Sequence, residues 1–145
     1  MLDEQRLKKE FIALTKILKE NEFKFAGFNT AKPYLAVALL TNSKKAYTVK
    51  IDLSSANYPD SSPPEAYIIN PKPLLTYTGE SMLGASHVMH TLSGKDDCVQ
   101  VCHYGGQDWH PGVLLYQIII KIRIWLEAYE AHLKTGQGLS DYLPG

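Results

Sequence analysis

The chain has 145 residues, 45% of them apolar and 21% charged, which suits one folded domain large enough to bury its own core. Its 15 basic and 15 acidic side chains cancel, so no net field draws it to nucleic acid or to an anionic lipid surface. No stretch reaches the length of a membrane span, and the start, Met1-Leu2-Asp3-Glu4-Gln5-Arg6, lacks the pattern of a signal peptide.

Taken in order, residues 3 to about 20 predict an amphipathic helix. Leu7, Phe11, Leu14 and Leu18 recur at helical spacing, and Asp3 suits the N-cap. After Gly27 the pattern changes. Tyr34 to Leu40 is an apolar run that fits a buried strand, Asn42-Ser43-Lys44-Lys45 supplies a turn, and Tyr47, Val49, Ile51 and Leu53 then alternate with polar neighbours. Prolines 59, 63 and 64 end that hairpin, a short strand resumes over 67–69, and Pro71 and Pro73 stop it. Residues 71 to 97 are the least regular part, with His87-Val88-Met89-His90 a short extended piece at most.

Residues 98 to 104 alternate as a strand, which would place Cys98, Gln100, Cys102 and Tyr104 on one face, with Gly105-Gly106 ending it through unusual backbone angles. Residues 113 to 134 contain a β-branched run, Ile118-Ile119-Ile120. The helical spacing of Ile118, Ile122, Trp125, Tyr129 and Leu133, with Gly136 as a stop, makes the segment a helix that Pro111 would start. Residues 138 to 145 read as a loose tail. The sum is an α+β domain over residues 1–145: an N-terminal helix, an antiparallel meander of about four strands, and a C-terminal helix.

Both cysteines sit in this central stretch. Four apart on a strand they would lie roughly 13 Å from each other, too far for a disulfide, and free thiols point to the cytoplasm. Cys102 is the better nucleophile, since it abuts the glycine turn, whereas Asp96 and Asp97 beside Cys98 disfavour a thiolate. His103 is adjacent in sequence but expected on the opposite strand face. His87, His90, Cys98 and Cys102 are zinc-ligand types, yet a cysteine pair on one strand closes a tetrahedron poorly. No metal or other cofactor is expected.

These segments, with Tyr58-Pro59, Pro63-Pro64, Cys102 and Trp109-His110-Pro111 in that order, resemble the ubiquitin-conjugating enzyme fold. Cys102-His103-Tyr104 ahead of the tryptophan, and the closing Trp125 to Glu130, look more like the bacterial branch of the family. The resemblance is to its short type, encoded in antiphage operons with a cyclic-oligonucleotide synthase and lacking a fused activating enzyme. It implies that Cys102 carries a C-terminal glycyl group as a thioester. The donor would be that partner synthase or a ubiquitin-like protein loaded by an activating enzyme. It also implies that Tyr104, Trp109 and Pro111 line the groove. Eukaryotic members place His-Pro-Asn ahead of the cysteine. Here His87-Val88-Met89-His90-Thr91 contains no asparagine, so His90, His103 or backbone N–H groups would have to hold the oxyanion. The alternative is a non-catalytic module that docks on the partner and regulates it.

Overall fold

The computed structural model describes residues 2–144. Helix α1 spans Glu4–Thr15, with Asp3 as its N-cap accepting from the Arg6 amide at 2.7 Å. It stops short of residue 20, where a single 3-10 turn over Glu20–Glu22 leads into the sheet. The strands are β1 (Phe23–Ala26), β2 (Tyr34–Leu40), β3 (Ala46–Asp52), β4 (Glu65–Asn70), β5 (Thr91–Lys95) and β6 (Cys98–Val101). They form one antiparallel sheet of six in the order β1-β2-β3-β4-β6-β5. The expectation of about four strands is therefore corrected. β1 has four residues, too few to display an alternation, and β5 is a polar segment held by its ladder with β6.

Alternation decides which face is covered. Leu35, Val37 and Leu39 of β2, Tyr47, Val49 and Ile51 of β3, Ala66 and Ile68 of β4, and Val99 and Val101 of β6 are all buried. They join one cluster with Leu14 of α1 and with Ile118, Ile122, Trp125 and Tyr129 of helix α2, which spans Leu115–Thr135. The isoleucine run is thus helical: Ile118, Ile119 and Ile122 turn into the core, while Ile120 and Ile124 face outward. The helix ends as expected on Gly136, whose φ of 76° is the left-handed conformation that glycine accepts at little cost. Pro111 does not start it. A turn intervenes, and the Leu114 amide is held by the Gln117 side chain at 2.8 Å.

Polar contacts hold both ends of α2. At its N-terminus, Glu10 of α1 is fully buried and accepts the Leu115 amide at 2.8 Å, while Arg6 donates to the same carboxylate at 2.9 Å. Arg6 also donates to the carbonyls of Pro111 (2.6 Å) and Val113 (2.9 Å). Near the other end, Glu130 accepts from the hydroxyls of Thr41, Ser43 and Tyr47 at 2.7–2.9 Å, binding the helix to the β2–β3 hairpin. Burial alone would raise its pKa, but those bonds outweigh it and hold the carboxyl below its usual range. His132 donates Nδ1–H to the Gln137 carbonyl and accepts the Tyr77 amide on Nε2.

The segment after α2 is anchored rather than loose. Leu139 is fully buried in a short 3-10 turn, Leu139–Asp141, and the Ser140 amide donates to Val88 O at 2.9 Å. A methyl group on Gly138 would fall 2.2 Å from Val88 Cγ1, so this segment lies directly against the loop before β5.

Glu10→Ala strands the Leu115 amide and part of Arg6, and should cost about 3 kcal/mol in chemical denaturation. Burial raises the Glu10 pKa above its ordinary 4.5, against the opposing pull of Leu115 and Arg6. The folded state therefore holds this proton more tightly, and the group's contribution to stability falls as pH rises from about 4.5 through the raised value. Glu10→Gln should flatten that part of the stability–pH curve.

Candidate active site around Cys102

β6 ends at Val101, one residue before Cys102, so Cys102 and Tyr104 are not strand residues as the alternation suggested. The reason lies in the backbone bonds. The Cys102 amide still donates to the His90 carbonyl at 3.0 Å, one step past the Thr91–Val101 pair, but the Tyr104 amide turns onto the ring of its own neighbour, His103 Nδ1, at 2.9 Å. Gly105 and Gly106 do not supply a left-handed turn either, as neither has a positive φ. What they supply is an open rim: a side chain at Gly106 would meet nothing within 4 Å.

Cys102 is half-buried and opens into a cleft of about 540 Å³, whose walls include Ser86, His87, His90, Asp108 and Lys121. His103 and Pro144 complete the rim. His90 is the most constrained of these. Its φ of 53° is left-handed, a conformation that costs a non-glycine residue energy and is held only where neighbours over-determine it. Trp125 does so, with Nε1–H shared between the carbonyls of Met89 (3.2 Å) and His90 (3.1 Å). The His90 ring stacks on His87 with centroids 6.2 Å apart, and burial, aided by His87, lowers its pKa below the ordinary 6.5. The expected extended piece over 87–90 is therefore a turn that presents one imidazole, neutral at pH 7, to the cleft.

His103 plays a different part. Nε2–H donates to the Pro64 carbonyl at 2.7 Å and Nδ1 accepts the Tyr104 amide, so both nitrogens are occupied. Burial takes its pKa down to about 4, with Lys121 adding in the same direction and the Pro64 bond opposing. The ring is a neutral strut tying the Pro63-Pro64 segment to the cysteine loop, and it has no donor left for an oxyanion.

Tyr104 packs edge-on to Trp109 at 5.9 Å and carries the Lys121 ammonium 3.8 Å above its ring. Lys121 also donates to the His103 carbonyl at 3.4 Å. Trp109 is buried; its Nε1–H donates to Pro59 O at 2.9 Å and its ring lies 6.0 Å from Tyr58. Trp109 thus backs Tyr104 from beneath and does not wall the cleft, and Pro111 lies exposed in the turn before α2, occupied with Arg6.

Cys98 is separate from all of this. It is buried in β6 and lines a separate cleft on the face of the sheet turned away from the core, its thiol donating to the Asp96 carbonyl at 3.4 Å. Both cysteines are free, and among the described residues no three His, Cys, Asp or Glu side chains converge on a point that could hold a metal ion. Asp108 and Lys121 join the cleft without any signal in the local sequence, Lys121 because α2 brings it there from a distant segment.

A half-open thiol beside a neutral imidazole and under an ammonium-bearing rim is an arrangement that accepts acyl groups or electrophiles. With iodoacetamide under native conditions, Cys102 should be alkylated about tenfold or more faster than Cys98, as read by peptide mass spectrometry. Equal rates would show that the cleft does not expose the sulfur. Comparison with protein-family models, with curated proteins and with solved structures gives no match for this chain.

Proposed function

We propose that the chain is a ubiquitin-conjugating-enzyme-like protein of the bacterial short type, acting through Cys102 on a cyclic-oligonucleotide synthase in antiphage defence. The observation that carries the reading is the half-exposed Cys102 thiol, set in a cleft just beyond an antiparallel sheet and before a long helix. Two contacts support it further. Tyr58-Pro59 and Trp109, far apart in sequence, meet through the Trp109–Pro59 hydrogen bond, and Pro64 meets the cysteine loop through His103. Two of the motif segments that suggested the family thus pack on the loop that follows the thiol.

In this reading the Cys102 thiolate attacks the carbonyl of an activated C-terminal glycine, supplied as an acyl adenylate or as a thioester on another protein. A thioester to Cys102 forms, and the adenylate or thiol leaves. An amine then attacks that thioester, giving an amide and returning the proton and the free thiol. His90, neutral at pH 7, lines the cleft and can take the proton of the thiol or of the amine. Backbone N–H groups past Cys102 remain for the oxyanion, since His103 is committed to Pro64. The reading puts the protein in the cytoplasm, where thiols stay reduced. No helix among the described residues is long and apolar enough to cross a membrane.

The test is co-expression with the neighbouring operon genes, followed by denaturing gels with and without reductant and mass spectrometry of the adduct. Cys102→Ala should abolish the adduct, Cys98→Ala should leave it in place, and Cys102→Ser should trap a slower-turning oxygen ester. An adduct that survives both alanine substitutions would mean that the chain carries no acyl group and serves instead as a docking module. Linkage should also hold to lower pH than an ordinary imidazole base would allow, because burial lowers the His90 pKa. In His90→Gln the fall in rate on the acid side should no longer follow an imidazole titration.

A further inference from the structure

The face of the sheet turned away from α1 and α2 carries the second half of each strand's alternation, and it is not uniformly polar. Tyr34 of β2, Lys50 and Asp52 of β3, Tyr67 and Ile69 of β4, and Cys98 of β6 all point there. Register puts them side by side: Tyr34 is opposite Asp52, Lys50 opposite Tyr67, and Lys95 opposite Cys98. Lys32 from the loop before β2 and Lys95-Asp96 from the β5–β6 turn rise at the edges, and together they enclose a cleft of about 200 Å³.

The charges in this cleft are arranged for a guest. Three ammonium groups, from Lys32, Lys50 and Lys95, line it with the carboxylates of Asp52 and Asp96, while the Glu65 carboxylate lies behind Tyr67, bonded to its hydroxyl. Among the described residues none of the three lysines forms an ion pair. Asp52 is instead occupied by the Ser54 amide and hydroxyl, at 2.8 and 2.5 Å. The lysines are nevertheless held in place. Lys50 lies 4.7 Å from the Tyr34 ring centre and Lys95 5.1 Å from that of Tyr67, within reach of a cation–π attraction that keeps both ammonium groups near the cleft. Tyr67 is itself buried, its hydroxyl bonded to Glu65, so its ring is a fixed wall. The volume is below the roughly 300 Å³ at which drug-sized ligand sites begin.

We propose that this cleft binds a small anion bearing a single planar ring, its phosphate or carboxylate met by Lys32, Lys50 and Lys95 and its ring laid against Tyr34 and Tyr67. The aromatic walls and the Cys98 sulfur at the floor favour a ring over an aliphatic chain, and the volume excludes a full nucleotide. The site shares no lining residue with the Cys102 cleft. It does not depend on the chemistry proposed there.

The experiment is an amide NMR titration of the isotope-labelled full chain with phenyl phosphate, benzoate, inorganic phosphate and phenol. Phenyl phosphate and benzoate should give saturable shifts confined to segments 32–34, 50–54, 67–69 and 95–98. Inorganic phosphate, with no ring, should bind about fivefold or more weakly, and phenol, with no charge, should leave those amides unmoved. Lys50→Gln and Lys95→Gln should each weaken phenyl phosphate about fivefold, while the remaining amides keep their positions and so report an intact fold. Shifts spread over all surface lysines, shifts centred on the Cys102 cleft, equal binding of phosphate and phenyl phosphate, or full affinity in the doubly substituted variant would each overturn the site.

Discussion

The contact on which most of the structure depends is the meeting of Arg6 and Glu10 with the first turn of α2. A carboxylate buried without compensation is expensive, and it persists here because each of its oxygens has a donor. One donor is the amide of Leu115, at a helix N-terminus where backbone dipoles already favour negative charge. The other is Arg6, whose guanidinium reaches on to the carbonyls of Pro111 and Val113. A single pair on α1 therefore sets where α2 begins and fixes the turn that leads into it from Trp109.

From that origin α2 acts as the reference rod for the cysteine cleft. Trp125 reaches from the helix to the carbonyls of Met89 and His90, Lys121 reaches to the His103 carbonyl, and Glu130 grips the β2–β3 hairpin. The loop preceding Cys102 and the loop following it are thus referenced to the same helix, on neighbouring turns. The left-handed backbone at His90 follows from this arrangement, since its carbonyl must satisfy both the Trp125 indole and the Cys102 amide.

Sequence periodicity reveals the elements that bury a face and hides those that are held by partners. The alternation in β2 and β3 and the helical spacing from Ile118 to Tyr129 are readable because core burial selects them residue by residue. β5, with Ser93, Gly94 and Lys95, has no such selection, and its pairing with β6 is interrupted by a register shift. The cleft was legible as far as Cys102 and its neighbours in sequence. The roles were not: His103 is a strut because of Pro64, from the far side of β4, and Trp109 is buried because Tyr58 and Pro59 arrive over it. Alternation also assigned Cys98 and Cys102 to a common strand face. The strand ends between them, so Cys98 is a ladder residue and Cys102 opens into a separate cleft just past its end.

The anchoring of the segment after α2 has a practical side. Leu139 is sunk in the core, Ser140 is bonded to Val88, and Pro144 stands at the rim beside Cys102. Any polypeptide joined on that side leaves the surface at the mouth of the cleft, within reach of the thiol. An affinity handle or fluorescent fusion placed there would crowd whatever approaches Cys102.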